Sequence, residues 1–146
     1  MAAGKHGSAW TRHLRRFFSG FLSAEDKKRI AGVIAEQERK TTGAITVHLV
    51  GKAGPDIMAA ARKLFVELGL DKTEQRNGVL LLISHLDHRF AIWGDEGIHD
   101  QAGQHLWDRA AKILLARFKD RKYAEGVESC VREIGAELAR RCPKMP

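Results

Sequence analysis

The sequence predicts an α/β fold: a three-layer sandwich in which a small mixed sheet of about three or four strands is flanked by helices. Three observations carry that expectation. Apolar and polar residues alternate over 45–50, where Ile45, Val47 and Leu49 face one way and Thr46 and His48 the other. A solid apolar run, Val79 to Ile83, is followed by polar Ser84 to His88 and then by Phe90 to Trp93, which is a hairpin pattern closed by Gly94. Outside these runs, apolar residues recur at helical spacing.

Taken in order, the elements justify themselves as follows. Residues 1–8 are small and polar and predict a disordered leader. From Ala9 to Leu22, Trp10, Leu14, Phe17, Phe18 and Phe21 alternate with Arg12, Arg15 and Arg16. That spacing predicts a short basic amphipathic helix, either folded back on the domain or laid on an anionic membrane. Residues 1–22 thus form an N-terminal segment, and 23–146 a single domain. Ser23 with Asp26 three residues on is a helix start, and Ile30, Val33 and Ile34 mark the buried stripe of a helix running to about Lys40. Asp56 caps the next helix, striped by Ile57, Ala61, Leu64, Phe65 and Leu68 and stopped by Gly69. After the hairpin, Leu106, Ala110, Ile113, Leu114 and Phe118 mark a third helix. Tyr123, Val127, Val131, Ile134 and Leu138 mark a fourth, ended by Cys142 and Pro143.

The chain has 146 residues, 44% apolar and 29% charged, with a net charge of +7. That is one soluble domain with a sizeable core. The positive charge sits at the ends: residues 1–22 carry +4 and residues 109–146 carry +5, while the middle carries −2. Such ends suit an anionic lipid surface, an acidic protein or simply water. Nucleic acid ranks last, because the basic residues are interleaved with acids and no aromatic stacking platform is visible. Cys130 and Cys142 make no disulfide framework and no C-x-x-C pair, which fits a reducing, cytoplasmic setting. No apolar run reaches the length of a membrane span.

A candidate site follows from the topology expected for the sheet. If strand 45–50 runs parallel to strand 89–93, with 79–83 antiparallel to both, three loops share one rim. They hold Asp56, Asp71, Thr73, Glu74, Asn77, Asp95, Glu96 and Asp100. Asp56, Asp95, Glu96 and Asp100 are then the candidate ligands for a hard cation such as Ca²⁺ or Mg²⁺. Thr73, Asn77 and the flexible backbone at Gly94 and Gly97 line the same place. The alternative is that the acids cap helices or are merely solvated. His85 and His88 fall at the opposite end of the sheet, without an evident third metal ligand. No Ser–His–Asp or Cys–His spacing stands out.

With these residues in hand, the chain resembles the TPM domain family over about residues 22–143. The resemblance rests on ERKTTGAITVHLV, ELGLDKTEQRNGVLLLI, FAIWGDEGIHD followed by LWD, FKDRKYAEGV and IGAELARRCP. It implies an α/β sandwich, as read independently above. It also implies divalent metal binding, as in some bacterial members, and acid phosphatase activity, as ascribed to the plant member. Many members act near membranes, on membrane-protein complexes, so a place at the membrane periphery is implied too. The family-typical polar positions are Thr73, Asn77, Asp95 and Gly97, with Gly78 and Gly94 shaping the backbone. In a phosphatase, the metal and Asn77 would stabilise the phosphoryl oxygens of a phosphate-containing small molecule. Asp95 would then be ligand, base or nucleophile. One departure stands out: short members carry Glu directly after the Gly that opens the first strand, and here that place is Ala44.

Overall fold

The computed structural model describes residues 4–9, as backbone, and 21–145. A four-stranded sheet lies between two helical layers. Its strands are β1 (Gly4–Ala9), β2 (Ala44–Val50), β3 (Gly78–Ser84) and β4 (Arg89–Gly94), in the spatial order β1-β4-β3-β2. The helices are α1 (Ala24–Glu38), α2 (Ile57–Glu67), α3 (Glu96–Ala102), α4 (Gln104–Lys119) and α5 (Tyr123–Arg141), with a single 3₁₀ turn at Leu70–Lys72.

The layering follows from strand alternation. β3 is buried along its whole length, so both faces must be covered. Val79, Leu81 and Ile83 join Phe90 and Ile92 in a core with residues of α1, α4 and α5. Leu80, Leu82 and Ala91 point the other way, onto Ile57, Ala61 and Phe65 of α2. Each such large side chain contributes about 1.5–3 kcal/mol when fully buried. The caps agree with the sequence. Ser23 and Asp26 close a reciprocal box at the start of α1, and the Asp56 carboxylate accepts from the Ala59 N–H at the start of α2.

Two expectations about the sheet are overturned. β2 is parallel to β3, with Ala44 opposite Gly78, and β4 is antiparallel to β3. The strand 45–50 therefore does not pair with 89–93. The crossover through α2 closes onto the next strand in sequence, and the hairpin then adds β4 outside it. The leader is not disordered throughout either: Gly4–Ala9 pairs antiparallel with β4. Its sequence carries no apolar alternation to announce it; the pairing runs from Gly4 opposite Gly94 to Ala9 opposite Arg89. The amphipathic helix expected over 9–22 falls mostly on residues outside those described. At its end, Phe21 and Leu22 are buried in the core shared with α4 and α5.

Phe21 sits in an aromatic group at the hairpin-turn end of the sheet. It stacks on His85 at 5.5 Å and meets Tyr123 at 4.5 Å and Phe118 at 5.9 Å between ring centroids. The His85 Nδ1 is buried without a hydrogen-bond partner. Burial first, and then the Lys27 ammonium, hold the imidazole below its ordinary pKa of 6.5. The unfolded chain therefore takes up a proton that the folded chain resists. The contribution to stability is complete above that pH and declines as the pH falls below it. His85→Phe keeps a ring on Phe21 and removes the titration. Urea midpoints at stepped pH are expected to show a flatter decline between about pH 6.5 and 5 in the variant. An unchanged slope would show that the decline comes from other groups.

Candidate functional site

The parallel pairing of β2 with β3 decides which loops meet. At one end stand Thr41–Gly43, the loop before β3 and the loop after β4. At the other stand the 51–56 loop and the hairpin turn at 85–88, where the Leu86 N–H reaches the Gly51 carbonyl. Strands of this length separate the ends by on the order of 20 Å. Asp56 is thus parted from Asn77 and Asp95, and the rim of acids expected from the sequence is split. Asn77, Thr73, Asp95, Glu96, Gly94 and Gly97 remain together.

At that end the loops are tied by polar side chains. The Thr73 hydroxyl accepts from the Asn77 N–H at 3.0 Å. The Asn77 amide donates to Thr42 Oγ1 at 3.0 Å, and that hydroxyl donates to Gln75 Oε1 at 2.8 Å. Asn77 is completely buried, and its Oδ1 has no partner. Ala44 lies opposite Gly78, and its N–H faces the Asn77 carbonyl at 3.4 Å.

Asp95 is the anchor of the far loop. It is the N-cap of α3, accepting from the Glu96 N–H at 2.8 Å. The segment read as a loop after the hairpin is therefore helical from Glu96. Asp100 lies exposed within α3 and caps nothing. The Asp95 carboxylate also takes both edges of the Arg76 guanidinium, with Nε at 2.7 Å and Nη2 at 2.9 Å. Glu96 stands 3.6 Å from the same guanidinium. The hydrogen bonds that Arg76 donates to Asp95, then the Asp95 charge, then Glu96 and Asp71, raise the Arg76 pKa above its already high value. Arg76 adopts left-handed backbone, with φ of 52°. That conformation is costly for a residue with a Cβ, and here it turns the chain so that the guanidinium meets Asp95. Gly97 allows the approach: a methyl group there would collide with the carbonyl oxygens of Gln75 and Arg76.

Arg76 is the residue that sequence reasoning missed. It stands directly before Asn77 and Gly78, where it reads as a turn residue. The available signal was that acids on either side of it, Asp71, Glu74, Asp95 and Glu96, outnumber their basic neighbours.

The TPM domain family model matches residues 17–137. The chain belongs to that family. The NMR structure of BA42 protein from the psychrophilic bacterium Bizionia argentinensis is similar to this TPM domain, with a TM-score of 0.81 and 32% identity. The likeness covers 88% of this chain and 89% of that one. No curated protein gives a match.

The polar end is where the sequence placed candidate ligands for a divalent cation, Asp95 and Glu96 among them. Its oxygen donors have the right chemistry for a hard cation. Their arrangement does not fit: among the described residues, no three His, Cys, Asp or Glu side chains are grouped to hold an ion. Around Asp95 the reason is visible, since the guanidinium already engages both carboxylate oxygens. Among the described residues no helix is long and apolar enough to cross a membrane.

A second surface of the TPM domain lies along β2, the outer strand of the sheet. The Ala44 N–H and the Val50 carbonyl point at the β3 side, so the backbone groups of Ile45, Val47 and Leu49 point outward. The Ile45 N–H is taken by the Glu38 carboxylate at 2.8 Å. Beyond it, Val47, His48 and Leu49 border a groove of about 330 Å³ whose opposite wall is Leu22, Ile30, Ala31 and Ile34, with Lys27 at the rim. The groove is thus apolar inside, has strand backbone on one side and one ammonium at its edge.

Proposed function

We propose that this TPM domain works as a non-catalytic interaction module that binds an extended segment of a partner protein along β2. The outward backbone of Val47 and Leu49 beside the apolar groove carries that reading. An added strand would satisfy the edge groups and place alternate apolar side chains against Ile30, Ala31 and Ile34. A carboxylate on the partner would meet Lys27. Glu38 limits the docked length by occupying the edge at Ile45.

The phosphatase expectation placed on Asp95 and Asn77 has weaker support. Asp95 spends its oxygens on Arg76 and on the α3 cap, and the Asn77 amide nitrogen holds the 42–77 loop contact. Neither group is held ready for a phosphoryl oxygen.

The test selects peptides from a phage-displayed library on the folded protein, then measures them by titration. Selected sequences are expected to alternate apolar and polar residues and to carry an acid. Val47→Pro removes an outward N–H without touching the ladder to β3, and Ile34→Glu charges the groove wall. Each is expected to weaken the selected peptides by about tenfold or more, about 1.4 kcal/mol. Peptides that bind both folded variants as well as the parent protein would overturn the proposal, as would a library that yields none.

A further inference from the structure

The misfit between the family's metal and this polar end has a physical content of its own, independent of the β2 groove. We infer that Arg76 is the cation around which the two polar loops close, standing where a divalent ion would otherwise be needed. The observations converge on one atom group. Asp95 is buried and meets the guanidinium in a two-pronged pair at 2.7 and 2.9 Å. Glu96 approaches the same group at 3.6 Å, and Asp71 adds to the field around it. The Arg76 carbonyl accepts from the Ile98 N–H at 3.2 Å, so the same residue ties the loop before β3 to α3 through its backbone as well. The left-handed φ at Arg76 is the local cost of this placement.

Carboxylates held together repel unless a positive charge lies among them. In this chain that charge is part of the sequence, and it is bidentate, as a planar guanidinium allows and an ammonium does not. The end of the sheet therefore stays closed without an ion. A divalent cation gains access to Asp95 only when Arg76 is removed or swings out to solvent, and nearly half of its side chain is exposed.

The experiment uses the full chain, stripped with EDTA, with CaCl₂ and MnCl₂ as probes. For the parent protein, the melting temperature and the amide shifts of residues 71–78 and 95–100 are expected to stay unchanged at millimolar Ca²⁺. Arg76→Ala is expected to melt earlier and to be raised again by Ca²⁺, which it binds about tenfold or more tighter than the parent does. Arg76→Lys is expected to fall between the two, and Arg76→Ala with Asp95→Asn to lose the response to Ca²⁺. Equal Ca²⁺ uptake at these loops by the parent and Arg76→Ala would overturn the inference, as would Arg76→Ala that folds yet ignores the ion. Should Arg76→Ala not fold, Mn²⁺ is added to the parent and the Arg76 Nε–H signal is followed. A sharp, exchange-protected signal supports the inference, and selective broadening there overturns it.

Discussion

Trp107→Ala is expected to cost about 3–5 kcal/mol, the largest loss of any single truncation in this domain. Trp107 heads the fully buried side chains. It sits in α4 with its ring against the end of β4, so close that a methyl group at Gly94 would overlap it. Its indole N–H donates to His99 Nδ1 in α3 at 3.0 Å. One side chain therefore joins α4, β4 and α3. Truncation opens a cavity that rigid neighbours fill poorly, and it leaves a His99 nitrogen without its donor. For a chain of this length the melting temperature is expected to fall by about 10–15 °C. Trp107→Phe fills most of the volume and is expected to lose markedly less. A Trp107→Ala protein within about 1 kcal/mol of the parent by urea unfolding would show that the ring does not bear the load assigned to it.

Gly97→Ala is expected to cost about 3 kcal/mol, although it adds a single methyl group. What the methyl meets are the backbone carbonyls of Gln75 and Arg76, which have no rotamer to move into. Relief requires α3 to lift from the loop before β3. That movement lengthens the hydrogen bond from Ile98 to Arg76 and parts Arg76 from Asp95. The local signature is loss of hydrogen-exchange protection at the Ile98 amide, beyond the general fall in melting temperature. Gly32→Ala is the matching control. It lies inside α1 with open space around it, and there the same change is expected to gain about 0.5–1 kcal/mol. Gly97→Ala as stable as Gly32→Ala, with Ile98 still protected, would contradict the close approach on which the polar end is built.

Much of the fold was legible because its signals are local. Ser23 and Asp26 cap α1 as their spacing implies, and Asp56 caps α2. The apolar run at Val79 to Ile83 became the strand buried on both faces, and the turn at 85–88 joins it to β4 as expected. The motifs quoted for the TPM family were also in the sequence to be read, and the family match covers most of the domain. The candidate site was legible in part. Thr73, Asn77, Asp95 and Gly97 do share one end, but Asp56 went to the other because the strand 45–50 chose Gly78–Ser84 as its partner. Gly4–Ala9 escaped notice because GKHGSA carries no apolar alternation and its partner strand β4 lies far along the chain. Arg76 escaped for a related reason: its partner Asp95 is nineteen residues away in the chain.

The amino-acid order by itself determined α1, α2, α4 and α5, the strands β2 to β4, the caps at Ser23 and Asp56 and the family, since periodicity and caps act within a few residues along the chain. Only the tertiary structure decided which loops face each other, that the Arg76 guanidinium lies against Asp95, and that β2 is left with an open edge beside Lys27. Those are matters of strand order and of charges meeting across space. Their energies depend on distances that no spacing along the sequence encodes.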